Sequence, residues 1–132
     1  MITEKHLYNI SKNIFSILEI PNSTLDIFLL KTNDIAKLKA SFIKKKTEPN
    51  ILSFPEPPFF PHPETKKKYL GEIYLNKNIL DETPERAAPL LIHGILHLLG
   101  YSHHRKKEAE KMESLEKEIF NKLIVQKKFN LL

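Results

Sequence analysis

Apolar residues recur at spacings of three and four from Thr3 to about Leu18, at Leu7, Ile10, Ile14, Phe15, Ile17 and Leu18, and this period predicts an amphipathic helix with Thr3 as its N-cap and Pro21 as its stop. The period then changes. Thr24 to Leu30 is a run of β-branched, aromatic and aliphatic residues of strand length, bounded by Pro21-Asn22-Ser23 in front and Thr32-Asn33-Asp34 behind, and it predicts a buried strand. Asn33 or Asp34 is placed to cap a second helix through Ile35, Leu38 and Phe42, which ends in Lys44-Lys45-Lys46, where cations suit the negative end of a helix dipole.

Ile51 to Phe54 is short and apolar and leads into Pro55 to Pro63, which holds five of the nine prolines. That segment suits neither a helix nor a central strand; it predicts a stiff loop, a lid over something or only a connector. Order resumes with a strand over Tyr69 to Leu75 and a turn at Asn76-Lys77-Asn78. A helix opens near Thr83, with Pro84 at its first position; Pro89 then requires a kink or a fresh helix start, because inside a helix its ring meets the carbonyl of Glu85. The helix runs to Leu99 and stops at Gly100. From Lys107 to about Lys127 a last helix is expected, with Ala109, Met112, Leu115, Ile119, Leu123 and Val125 facing inward. There is no repeat and no domain boundary, and 132 residues suit one domain, 1–132. Helices interleaved with two or three strands predict an α+β fold, a small mixed β-sheet packed with helices.

Composition adds exclusions. Apolar residues at 41% and charged residues at 28% exclude the low-hydrophobicity signature of disorder. No apolar run approaches the roughly 18 residues of a membrane span, and Met1 to Leu7 lacks the layout of a secretory signal, so a cytoplasmic home is expected. With no cysteine, disulfides, thiolate ligands, iron–sulfur clusters and cysteine nucleophiles drop out, and any metal must sit on His, Asp or Glu. Twenty-one Lys and Arg against sixteen Asp and Glu give a net charge of +5, concentrated in Lys44 to Lys46 and Lys66 to Lys68. That suits a polyanion such as RNA, although from charge alone a solvated lysine face is the plainer reading.

Four of the six histidines, His93, His97, His103 and His104, fall within twelve residues. Residues four apart on a helix share a face with Cβ atoms about 6 Å apart, so His93 and His97 can converge on one ion at nitrogen–zinc distances of about 2.0–2.1 Å. Gly100 lets the chain reverse so that His103 returns to the same ion, placing the metal at the end of the helix. Three imidazoles leave a fourth position open for water or substrate, as in catalytic zinc sites, where the ion acts as a Lewis acid and lowers the pKa of its water to about 7. A lone histidine on an apolar helix is more often a locally satisfied side chain; the third histidine beyond a helix-ending glycine tips the balance to a metal. His104 can replace His103 by a one-residue shift, contact substrate, or be solvated. A His-Glu-x-x-His peptidase fits less well, because Gly94 stands where the general base would be, and it would need Glu72 or Glu113 to fold back in its place.

The string His93-Gly94-Ile95-Leu96-His97-Leu98-Leu99-Gly100-Tyr101-Ser102-His103 resembles the signature of the YbeY family, bacterial rRNA maturation factors described as metal-dependent endoribonucleases. Asn50 to Pro55 is similar to the family's Ser-Phe-Pro block, Leu70 to Ile73 to its Leu-Gly-Asp-Ile block, and Met112-Glu113 with Glu116 to its Met-Glu-x-x-Glu helix, so the likeness runs from roughly Leu38 to Phe120. It implies one Zn2+ on His93, His97 and His103, which are also the catalytic residues, and substrate contacts from Lys44, Lys45, Asn50 and Ser53. It further implies single-stranded rRNA as substrate, the ribosome or ribosomal proteins as partners, a role in small-subunit rRNA end processing and ribosome quality control, and neither DNA nor membrane binding. The chain departs from the family at Ser102, where an Asp is usual, at Ile43, which stands at the family's Arg beside Lys44, and in an N-terminus short for a leading strand. The rival from another class is a non-catalytic, zinc-stabilised ribosome-assembly adaptor that binds RNA; a metallopeptidase is a third reading.

Overall fold

The structure, a computed structural model, describes residues 1–42, 50–56 and 67–130. Helix α1 (Glu4–Ile17) opens with a capping box in which the Thr3 hydroxyl accepts from the His6 amide while the His6 ring accepts from the Thr3 amide, a role that Glu or Gln usually fills. It buries Leu7, Ile14 and Phe15, as its period predicts. It stops at Ile17, ahead of Pro21, because Glu19 turns the chain with φ at +62°. Strand β1 (Ser23–Leu30), helix α2 (Thr32–Phe42), strand β2 (Ile51–Pro55) and strand β3 (Lys68–Asn76) follow.

The sheet has the order β1-β3-β2, with β1 parallel and β2 antiparallel to the central β3. Pairing Ile27 with Ile73 and Leu29 with Leu75 on one side, and Ser53 with Ile73 and Ile51 with Leu75 on the other, lines up one face of alternate residues. That face packs into the core; Ile73 and Leu75 are fully buried. Pro55 is tolerated because β2 is an edge strand and Pro55 ends it.

The chain then enters a short helix α3 (Lys77–Glu82), a 3₁₀ turn at Pro84–Arg86, helix α4 (Ala87–Leu98) and the long helix α5 (Lys106–Asn130). Helix α3 replaces the expected turn at Asn76-Lys77-Asn78. Its asparagines serve as caps: Asn76, buried, accepts from the Ile79 amide, and Asn78 accepts from the Thr32 amide, tying the starts of α3 and α2 together. Pro89 is accommodated by a fresh start, since α4 begins at Ala87 and places Pro89 in the first turn, where a missing amide hydrogen leaves no bond unmade. The core joins Leu7 and Ile14 of α1, Ile27 and Ile73 of the sheet, Leu91, Ile92 and Ile95 of α4, and Met112 and Ile119 of α5. Val125, expected inside, is 51% exposed near the far end of α5. The arrangement is the expected α+β fold. No helix of the described residues is long and apolar enough to cross a membrane.

Candidate metal centre

Helix α4 is apolar on the side facing the sheet, with Leu91, Ile92, Ile95 and Leu96 buried. Gly94 explains how closely it approaches: a Cβ there would lie 2.8 Å from Ile51 Cδ1 and 3.2 Å from Ser53 Oγ. The position after His93 therefore points into the sheet, and a glutamate in it would bury a carboxylate against aliphatic side chains. His93 and His97 occupy the opposite, partly exposed side.

The helix ends in a Schellman motif around Gly100 at φ +99°, in which the Tyr101 amide donates to the Leu96 carbonyl and the Gly100 amide to the His97 carbonyl, each at 3.0 Å. This turn presents the Tyr101 carbonyl to His97 Nδ1 at 2.9 Å. Since a carbonyl only accepts, Nδ1 carries the proton and Nε2 the lone pair. On α5, Glu116 Oε1 lies 3.3 Å from His93 Nδ1 and, as a carboxylate, likewise accepts the hydrogen bond of its N–H. The two Nε2 atoms then face each other at 3.0 Å, both as acceptors. No neutral tautomer satisfies that pair. A shared cation, whether a proton on His93 or a metal ion, does; metal–nitrogen bonds of about 2.05 Å at a tetrahedral angle would set two ligands about 3.3 Å apart, close to the 3.0 Å observed.

The loop after Gly100 delivers the third ring. His103 has its centroid 5.6 Å from that of His93 and 5.0 Å from that of His97, and one nitrogen from each of the three rings lies within 4.8 Å of the others, a group that can hold a metal ion. His104 lies parallel to His103 at 6.1 Å and, although both rings are exposed, only His103 brings a nitrogen within reach of the other two. The loop is braced by a 2.7 Å hydrogen bond from the Ser102 hydroxyl to Glu108 and by Lys111 over the Tyr101 ring. Burial, followed by the neighbouring His93 and His103, lowers the pKa of His97, which keeps its ring neutral and its lone pair available.

Beside the cluster lies a cleft of about 420 Å³ whose wall includes His93 and Glu116, with Asn50 just before β2, Ile51 from β2, Lys39 from α2 and Arg86 from the turn before α4. A larger cavity of about 630 Å³, between the N-terminus and Pro84, shares none of these residues. Of the expected substrate contacts, Asn50 thus stands beside His93, whereas Ser53 lies beneath Gly94. Lys44 and Lys45 lie outside the described residues, as do Ile43 and the proline-rich segment beyond Glu56. The glutamates that the sequence suggested as helpers are elsewhere. Glu72 accepts from the Tyr74 hydroxyl, which pushes that phenol up to about 12, and exposed Glu113 pairs with Lys117. Glu116, which entered the sequence reading only through a resemblance, is the carboxylate at the site; Arg86 and Lys39 carried no sequence signal.

The family model for Endoribonuclease YbeY matches residues 2–124 of the chain. Proteins named Endoribonuclease YbeY from Bartonella henselae and Persephonella marina are both 35% identical to it, over 92% of this chain and 85% and 84% of their own lengths. One of the same name from Buchnera aphidicola is 40% identical over 65% of this chain and 59% of that protein. In fold, the chain is similar to a solution structure of a Thermotoga maritima protein, with a TM-score of 0.53 and 23% identity over 96% of this chain and 89% of that one.

Proposed function

The chain belongs to the YbeY family, and from that premise we propose that it is a metal-dependent endoribonuclease that cuts single-stranded RNA with one zinc ion on His93, His97 and His103. The observation that carries the reading is the pair of facing lone pairs on His93 and His97, each fixed by a partner behind it and joined by His103. When bound, the ion supplies a Lewis acid for a phosphoryl oxygen and lowers the pKa of water. The chain's own residues do the rest. Glu116 and the Tyr101 carbonyl hold the two helical imidazoles in the right tautomer and raise their basicity. His103 stands on an exposed loop at the rim, and Asn50 offers an amide to substrate in the adjoining cleft.

The whole chain, 1–132, acts as one catalytic domain in the cytoplasm, with rRNA ends of the small subunit as its substrate and the ribosome or its proteins as partners. Lys44 and Lys45 add phosphate contacts, while Ser53 supports α4 from below. Gly94, wedged against Ile51 and Ser53, argues against a peptidase. The test is cleavage of a single-stranded and a double-stranded RNA by purified protein, before and after chelation and zinc return, with metal content measured on the same samples. One equivalent of zinc and metal-restored cutting of the single strand are expected. RNA binding without cutting by the zinc-loaded protein would replace the enzyme with the adaptor; absence of bound metal would end the proposal. Product ends identify the nucleophile, since a 2′,3′-cyclic phosphate excludes direct attack by water.

A further inference from the structure

His103 comes from a different kind of element than the two histidines it joins. His93 and His97 ride on α4, whose helical bonds fix their backbone, whereas His103 stands exposed on the loop 99–105. Among the described residues the backbone hydrogen bonds of that loop end with the Tyr101 amide and resume at the Arg105 carbonyl, which accepts from Ala109, so none ties Ser102, His103 or His104. The tie that this stretch does have is a side chain: Ser102 Oγ, one residue before the ligand, donates to Glu108 Oε2 at 2.7 Å. A hydroxyl on a carboxylate makes a charge-assisted bond, for which about 2.5–2.7 Å is the usual length. Glu108 lies in the first turn of α5, where the helix dipole favours a carboxylate. The same helix carries Glu116 against His93, so α5 reaches the helical half of the cluster through one glutamate and the loop half through another.

We propose that the Ser102–Glu108 hydrogen bond is a latch that presents His103 to the metal, with both residues in positioning roles and neither touching the ion. The inference rests on the metal half of the nuclease reading, since it takes His103 for the third ligand. A ligand on a loop must be ordered before it can bind, and the chain entropy lost in ordering is subtracted from the affinity. With Ser102 fastened next to His103, that loss falls at folding rather than at metal binding. His103 is also the exposed member of the three, so it is the ring that most readily lets go, and the latch sets how long the ion stays.

The measurement is zinc affinity, by competition with a coloured chelator, and the rate of zinc release into excess chelator. It is made on the full chain as wild type, Ser102→Ala, Glu108→Ala, the double variant and Glu110→Gln, an exposed α5 control. Each alanine change is expected to weaken affinity and speed release about tenfold, the low end for loss of a partner behind a ligand. The double variant should match the singles rather than multiply them, because either change breaks the same bond. Ser102→Thr, which keeps the donor, should restore most of the loss, Glu108→Gln, which keeps an acceptor, part of it, and Glu110→Gln should change nothing. Added to His103→Ala, Ser102→Ala should bring no further loss, since the ligand it serves is gone. Wild-type affinity and release in the alanine variants, or a Ser102→Ala loss that persists beside His103→Ala, overturns the latch. A wild type that holds zinc but cuts no RNA overturns the nuclease reading alone; a wild type that holds no zinc overturns both. Melting of the metal-free variants should match that of the wild type, and if Glu108→Ala does not fold, Ser102→Ala, the loss of a single hydroxyl, carries the same expectations.

Discussion

Helices α1 and α4 end with the same hydrogen-bonded device, and only the second end stands within a cluster that can hold a metal ion. At the end of α1 the Ile20 amide reaches the Phe15 carbonyl at 2.8 Å and the Glu19 amide reaches Ser16 at 3.1 Å. At the end of α4 the corresponding bonds run from Tyr101 to Leu96 and from Gly100 to His97. The first stop merely turns the chain toward β1. The second is preceded by His97 two residues before its cap, so the carbonyl that emerges from the turn meets an imidazole, and the reversed chain brings His103 back beside it. A helix stop can contribute to a metal-holding cluster when a histidine sits within the turn that the stop closes.

The harshest way to break this contrast is to remove the ligand. His97→Ala should abolish stoichiometric zinc and lower RNA cleavage about a thousandfold, the several kcal/mol a Lewis acid supplies, while the far-ultraviolet spectrum stays that of a folded α+β protein. Chelation of the wild type should lower its melting temperature, because an ion that binds only the folded state stabilises it by mass action. In His97→Ala the same chelator should leave the melting temperature where it was. Next in size is the partner behind the other ring: Glu116→Gln keeps the shape but loses the charge that orients His93, and should weaken zinc affinity about 10- to 100-fold, read by competition with a coloured chelator. Unchanged affinity would show that the 3.3 Å contact does not govern the ligand.

How far the sequence revealed these parts depends on how local their causes are. The α1 period, the two long strands, Gly100 as a helix stop and the His93, His97 and His103 spacing all follow from short-range pattern, and the structure brings those three rings together. Glu19 was illegible, because a left-handed turn is signalled by glycine or asparagine and here a glutamate adopts it. Helix α3 was missed because Asn76 and Asn78 are turn formers as well as caps, and the cap on Ile79 is supported by bonds from Thr32, which is distant in sequence. Glu116 and Lys39 reach the site through the packing of α5 against α4 and of α2 against the sheet, which no window of sequence contains.

A gentler change sharpens the contrast at Gly100 itself. A Cβ there meets nothing within 4 Å, so Gly100→Ala adds no clash and charges only for the backbone at φ +99°, about 1–2 kcal/mol by denaturant unfolding of the metal-free protein. Because the Tyr101 carbonyl moves with that turn, zinc affinity should fall too, by about tenfold, the low end for loss of a partner behind a ligand. Stability lost with affinity intact would mean that His97 keeps its tautomer without this carbonyl.

The smallest effect is expected at the other helix end and has the opposite sign. Glu19 is a non-glycine residue at φ +62°, so Glu19→Gly relieves a left-handed conformation at an exposed position. Glycine's freedom in the unfolded chain offsets part of that gain, leaving roughly 0.5–1 kcal/mol of added stability. Since that turn lies apart from every imidazole of the cluster, zinc affinity and cleavage should both stay at wild-type values. A shift in zinc affinity on Glu19→Gly would mean that the two ends communicate through α1 and the core, and that the turn after Ile17 serves the metal site as well as the fold.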